Sequence, residues 1–90
     1  MIKVRKISDT QFEVVVTDRR TTTHTVTVTP SYYQKLTAGK VPPERLVEKS
    51  FEFLLEREPN TSILSSFDLP LINRYFPDYE RIIQKSLATP

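Results

Sequence analysis

Cysteine is absent from this chain of 90 residues, and with it go disulfide frameworks, thiolate metal sites and cysteine nucleophiles. A single glycine, Gly39, is too few for a phosphate-cradling loop of the Walker or dinucleotide type, and no G-x-S-x-G elbow can be written. His24 is the only histidine, so histidine-cluster zinc sites and any H-E-x-x-H reading fail. A Ser-His-Asp arrangement would have to use His24, which no motif supports; a strand-end histidine on or near the core face is the expected role. Apolar runs such as Val14-Val15-Val16 and Phe53-Leu54-Leu55 fall far short of the ~20 residues a membrane helix needs. The amino terminus, Met1-Ile2-Lys3-Val4-Arg5-Lys6, alternates and is charged, unlike a secretory leader. The chain is therefore expected in the cytoplasm, without cofactor or metal, and not as an enzyme.

What is present suits one core. Hydrophobic residues make up 38% of the chain, with five Phe and four Tyr, enough for a single domain over residues 1–90. The formal charge of +2 is too small to point to nucleic acid by itself.

The first thirty residues read at period two. Ile2 and Val4 alternate with Lys3 and Arg5. Phe12, Val14 and Val16 alternate with Glu13, Val15 and Thr17, and Thr25-Val26-Thr27-Val28-Thr29 is almost pure β-branched alternation. Turn chemistry at Ser8-Asp9-Thr10-Gln11 and Asp18-Arg19-Arg20-Thr21 separates them. Short connections favour antiparallel neighbours, so a three-stranded meander over about 2–7, 12–17 and 23–29 is predicted. Its inner face carries Ile2, Val4, Phe12, Val14, Val16, Val26 and Val28.

At Pro30 the period changes to helical. Thr29 can cap a short helix, 30–38, whose first residue is Pro30, a position where the missing amide hydrogen costs nothing. Gly39 can close it as a left-handed C′ residue. A central helix, 43–58, follows. Leu46, Val47, Ser50, Phe51, Phe53, Leu54 and Leu55 spread over an arc of about 200°, wide enough to meet the sheet on one side and the C-terminal segments on the other. Short helices at 61–67, 69–76 and 77–87, punctuated by Pro59, Pro70 and Pro77, complete an α+β fold.

Three charged features stand out. Glu44, Glu48, Glu52 and Glu56 form an i,i+4 row interleaved with Arg45, Lys49 and Arg57, expected to be a solvated face or, functionally, an acidic ridge for a basic partner. Glu56 and Glu58 oppose the helix dipole at the end of the central helix, so Arg74, Arg81 or Lys85 is expected to fold back onto them. Lys3, Arg5, Arg19 and Arg20 form a candidate basic surface, more simply read as a solvated sheet face.

The run from Val26 to Leu36, with Gly39 and the helix from Pro43, resembles a ribbon-helix-helix DNA-binding unit. That resemblance implies a dimer whose paired strands place Thr25, Thr27 and Thr29 in the major groove, although threonine lacks the bidentate reach of Arg, Asn or Gln. A longer stretch, Ser50-Phe51-Glu52-Phe53-Leu54-Leu55-Glu56-Arg57-Glu58-Pro59-Asn60-Thr61-Ser62-Ile63-Leu64 with Phe67-Asp68-Leu69 and Tyr75-Phe76-Pro77-Asp78-Tyr79, is similar to a run in small uncharacterised bacterial proteins. It implies a bacterial origin and carries no activity with it.

The leading expectation is a non-enzymatic interaction module. In a simple meander the third strand is an edge, and Thr25, Thr27 and Thr29 offer an unguarded β-branched border for a protein partner or a second copy. A helix or loop from the chain's own C-terminal half is the alternative cover for that border. A DNA-binding regulator using Lys3, Arg5, Arg19 and Arg20 on phosphates comes second, and a small enzyme third.

Overall fold

The computed structural model describes residues 1–88. Three strands, β1 (Ile2–Lys6), β2 (Gln11–Thr17) and β3 (Thr21–Thr27), form the predicted antiparallel meander. The register places Val4 opposite Val14 and Phe12 opposite Val26, so the alternating apolar residues share one face. Phe12, Val14, Val16, Val26 and Val28 on that face are buried, with Ile2 and Val4 partly so. The other face carries Lys3, Arg5, Glu13, Val15, Thr23, Thr25 and Thr27, and among the described residues no helix packs over it. Such one-sided burial is usual for antiparallel sheets.

Helix α1 (Pro30–Thr37) starts as its sequence suggests: the Tyr32 amide donates to Thr29 Oγ1 at 3.3 Å, and Pro30 stands at the first helical position. Its end differs from expectation. Ala38, with φ 54° and ψ 26°, is the first left-handed residue, and Gly39, with φ 73°, is the second. The Ala38 amide donates to Gln34 O, closing the helix one residue before the glycine.

Helix α2 (Pro43–Leu55) is central. Its buried side chains Leu46, Val47, Ser50, Phe51, Phe53 and Leu54 divide between the sheet and the C-terminal helix, as the wide apolar arc requires. It ends at Leu55 and not at residue 58. The Arg57 guanidinium turns back, donates to Phe53 O at 2.9 Å and lies 3.6 Å from the centre of the Phe53 ring. A cation at a helix carboxyl end offsets the two nearby glutamates. The predicted role of Arg81 is not seen: it pairs with Asp78 instead.

The largest departure follows α2. Residues 61–67 form no α-helix. A 3₁₀ turn (Asn60–Ser62) leads into a fourth strand, β4 (Ser66–Asp68), which runs parallel to β3 with Thr25 opposite Ser66 and Thr27 opposite Asp68. The sheet order is β1-β2-β3-β4. Ile63 and Phe67 satisfy an i,i+4 spacing, but Ser66-Phe67-Asp68 alternates equally well, and three residues do not separate the two periods. The ladder decides: Thr25 N–H donates to Ser65 O at 2.8 Å and Leu69 N–H to Thr27 O at 2.9 Å, satisfying β3 groups that a helix would leave bare. Two further helices, α3 (Leu71–Tyr75) and α4 (Tyr79–Ala88), close the core through Ile72, Tyr79 and Ile83. Both are shorter at their starts than the predicted 69–76 and 77–87.

The left-handed alanine yields a test. A non-glycine residue in that region costs about 1–2 kcal/mol, partly offset by the greater chain entropy glycine loses on folding. Ala38→Gly is expected to stabilise the protein by about 0.5–1 kcal/mol, read as a higher urea midpoint with an unchanged slope.

Candidate functional site

His24 sits on the inner face of β3, 2% exposed, between Phe51 (ring centres 5.3 Å apart) and the chain entering β4. Its Nδ1 lies 2.7 Å from Leu64 O and its Nε2 2.9 Å from Thr22 Oγ1. A carbonyl only accepts, so Nδ1 carries the proton and Nε2 accepts from the Thr22 hydroxyl. Thr22 Oγ1 in turn accepts from Asn60 Nδ2 at 3.0 Å, and Asn60 also donates to Arg20 O at 2.9 Å. This chain of bonds ties the loop before β4 to the strand beside it. Both ring nitrogens are occupied and no carboxylate joins them, so His24 fills the structural role expected of a core-face histidine.

A second polar group lies between the helices. Ser50 Oγ donates to Leu46 O at 2.7 Å and therefore accepts from the Tyr79 hydroxyl at 2.6 Å. Tyr32 donates to Glu80 at 2.9 Å, and Lys35 pairs with the same carboxylate at 3.1 Å. Burial holds the Tyr79 phenol protonated well above the usual tyrosine range, with the Glu80 charge adding to it and the Ser50 hydrogen bond opposing. Burial does the same for Tyr32, helped by Tyr79 and by the Glu80 carboxylate that its hydroxyl faces. These groups join α1, α2 and α4; they open into neither groove described below.

The feature that reaches solvent is an apolar groove of about 430 Å³ walled by the end of α2, the 3₁₀ turn, β4 and α3. Leu54, Ile63 and Ile72 form its floor; Leu64, Phe67, Leu71, Tyr75 and Phe76 stand along it. Of the four large hydrophobic side chains that are exposed, two stand here, Leu64 at 50% and Tyr75 at 68%. Scattered exposed apolar residues are ordinary, whereas a contiguous lining needs a reason. A second groove of about 400 Å³ lies between α2, α4 and β1, and its rim charges Lys49 and Glu52 pair with each other at 3.2 Å.

The residues singled out from sequence scatter around this groove without joining it. Thr25 and Thr27 have their outer backbone edge taken by β4, and Thr29 caps α1. The border predicted to be free is thus covered by the chain's own C-terminal half. A strand paired on both sides, to β2 and to β4, has no free side for the two-fold ribbon of a ribbon-helix-helix dimer. Lys3 and Arg5 are exposed on the open sheet face, Arg5 paired with Glu13 at 3.1 Å. Arg19 and Arg20 are exposed in the turn between β2 and β3. In the glutamate row, Glu48 and Glu52 are each bridged to a neighbouring base, as on a solvated face. Among the described residues no group of three or more His, Asp or Glu side chains converges as a metal site, and no helix is long and apolar enough to cross a membrane. Leu64 is not singled out from sequence; Tyr75 is amphipathic enough for an interface, but helical spacing alone points large apolar side chains of this kind towards the core.

Comparison with known proteins finds no matching family model, no matching curated protein and no matching solved structure.

Two outcomes test the polar groups. Asn60→Ala leaves the part-buried acceptors Arg20 O and Thr22 Oγ1 without their donor, a loss of about 1 kcal/mol; hydrogen exchange at the Phe67 amide should accelerate beyond that at Val14 as the loop is released. For Tyr79 and Tyr32 the native pKa is raised and the unfolded value is about 10. Their contribution is therefore complete below pH ~10 and falls as pH rises beyond it. Tyr79→Phe should cost about 1 kcal/mol at neutral pH and move alkaline unfolding to higher pH relative to its own neutral stability.

Proposed function

We propose that this protein is a non-enzymatic interaction module of the bacterial cytoplasm and that the groove between β4 and α3 is its docking surface. The observation that carries this reading is the pairing of Leu64 and Tyr75, both exposed, with an apolar floor of Leu54, Ile63 and Ile72. A tyrosine standing at a groove's rim offers a rigid apolar body and a polar tip, a composition enriched in protein contacts. The partly buried aromatic rings of Phe67 and Phe76 give the groove further contact area. The resemblance over residues 50–79 supports the bacterial setting, and the charged, alternating stretch of residues 1–6 supports the cytoplasmic one.

The test is affinity capture from the native cell with mass spectrometry, comparing the natural chain with a Leu64→Ser, Tyr75→Ser double variant. Both positions are exposed, so the change in folding stability should stay under about 1 kcal/mol. At least one protein held by the natural chain should be lost with the variant. Identical sets of captured proteins from the two chains would remove the groove as a docking surface.

A further inference from the structure

Resting on that reading of the groove, we propose that its occupant is an extended segment of a partner protein that pairs with the outer edge of β4 as a fifth strand. Its apolar side chains enter the groove, and its Lys or Arg residues meet Glu58 and Asp68.

The backbone supplies the first argument. In the parallel ladder Ser65 O and Leu69 N–H point to β3, so the alternation directs both groups of Phe67 to β3 as well and those of Ser66 and Asp68 away from it. Ser66 and Asp68 are exposed, and no backbone partner is found for these outward groups among the described residues. They can accept a neighbouring strand, the mode by which extended peptides add to sheet edges. The edge and the groove adjoin through one residue, because Phe67, between the two outward pairs, lines the groove with its ring.

Charge supplies the second argument. Glu58 is the only charged side chain lining the groove; it is half-buried and makes no ion pair with any described residue. Asp68, on the edge itself, is exposed and likewise without an ion pair. Asp68 stands on the open face and Phe67 on the groove face. A segment that alternates apolar and basic residues therefore sends the apolar ones into the groove and a basic one to Asp68, while Glu58 takes a basic residue at the groove itself. An acidic segment is disfavoured. The same charges oppose any two-fold pairing of β4 edges whose register sets Asp68 opposite Asp68. At the opposite edge of the sheet, Lys3, Arg5 and Lys6 of β1 act as the charged guards that keep natural edges unpaired.

The experiment screens the full chain against a random dodecapeptide library displayed on phage, then measures binding of the enriched peptides in synthetic form. Enrichment of alternating apolar and Lys or Arg residues is expected. N-methylation of the peptide backbone should abolish binding at every second residue and leave it intact at those between, because a strand presents its amides alternately. A Glu58→Gln, Asp68→Asn double variant should weaken binding about threefold to tenfold, with the loss shrinking at high salt. Enriched peptides that are acidic, or indifferent to the alternate methylation, would overturn strand addition; if Leu64→Ser, Tyr75→Ser still abolishes their binding, the groove remains a docking surface for another kind of segment. No enrichment, together with unchanged protein capture by that variant, removes both readings. Concentration-dependent self-assembly by sedimentation, abolished by Lys3→Glu, Arg5→Glu, would give the edge to β1 of a second copy and overturn a foreign partner.

Discussion

Forty positions of sequence separate His24 from Leu64, and the hydrogen bond between them, with the Asn60 amide bridging Thr22 and Arg20, sets the path of the chain into β4. Everything on that side of the molecule depends on it. Residues 60–64 are drawn against β3, Ser66 to Asp68 fall into register with Thr25 to Thr27, and the edge of the sheet moves outward by one strand. The groove lies where the end of α2, this short strand and α3 meet.

The anchor is polar because it joins backbone to backbone through two buried side chains, His24 and Asn60. A carbonyl or hydroxyl left unmet there would cost more than a bond of average strength contributes. Among the described residues no buried side-chain nitrogen or oxygen lacks a partner. Histidine and asparagine suit the task, since each offers a donor and an acceptor on a compact planar group. The same economy governs the helical side, where Ser50 and Tyr79 satisfy one another and Leu46 O within an apolar layer. The ion pairs, by contrast, all involve at least one substantially exposed partner and add little to stability individually.

The two edges of the sheet are unlike. β1 carries three basic side chains over five residues, while β4 is short, acidic at Asp68 and flanked by apolar surface. An edge defended on one side and bare on the other discriminates by sign of charge as well as by shape. The open face between them, lined by threonines and charged residues, is what an uncovered antiparallel face requires for solvation. Lys3, Arg5, Arg19 and Arg20 are compatible with that plainer role.

Much of the fold was legible in the amino-acid order: the meander from its period-two alternation, the start of α1 from Thr29-Pro30, the depth of α2 from its wide apolar arc. Those features are local, and a strand or an amphipathic helix announces itself within a few residues of its own sequence. The ends of elements were less legible. Ala38 preceded Gly39 in the left-handed region, and Arg57 closed α2 early by folding over Phe53, both outcomes of competition among neighbouring residues. The edge partner of β3 and the groove could not be read at all from local pattern. Ser66-Phe67-Asp68 is too short to declare a period, and Leu64 and Tyr75 look like core residues until one knows what lies opposite. Which strand ends the sheet, and which apolar side chains stay in water, were settled by contacts across forty residues of chain, where only the assembled tertiary structure holds the competing carbonyls and donors within reach of each other.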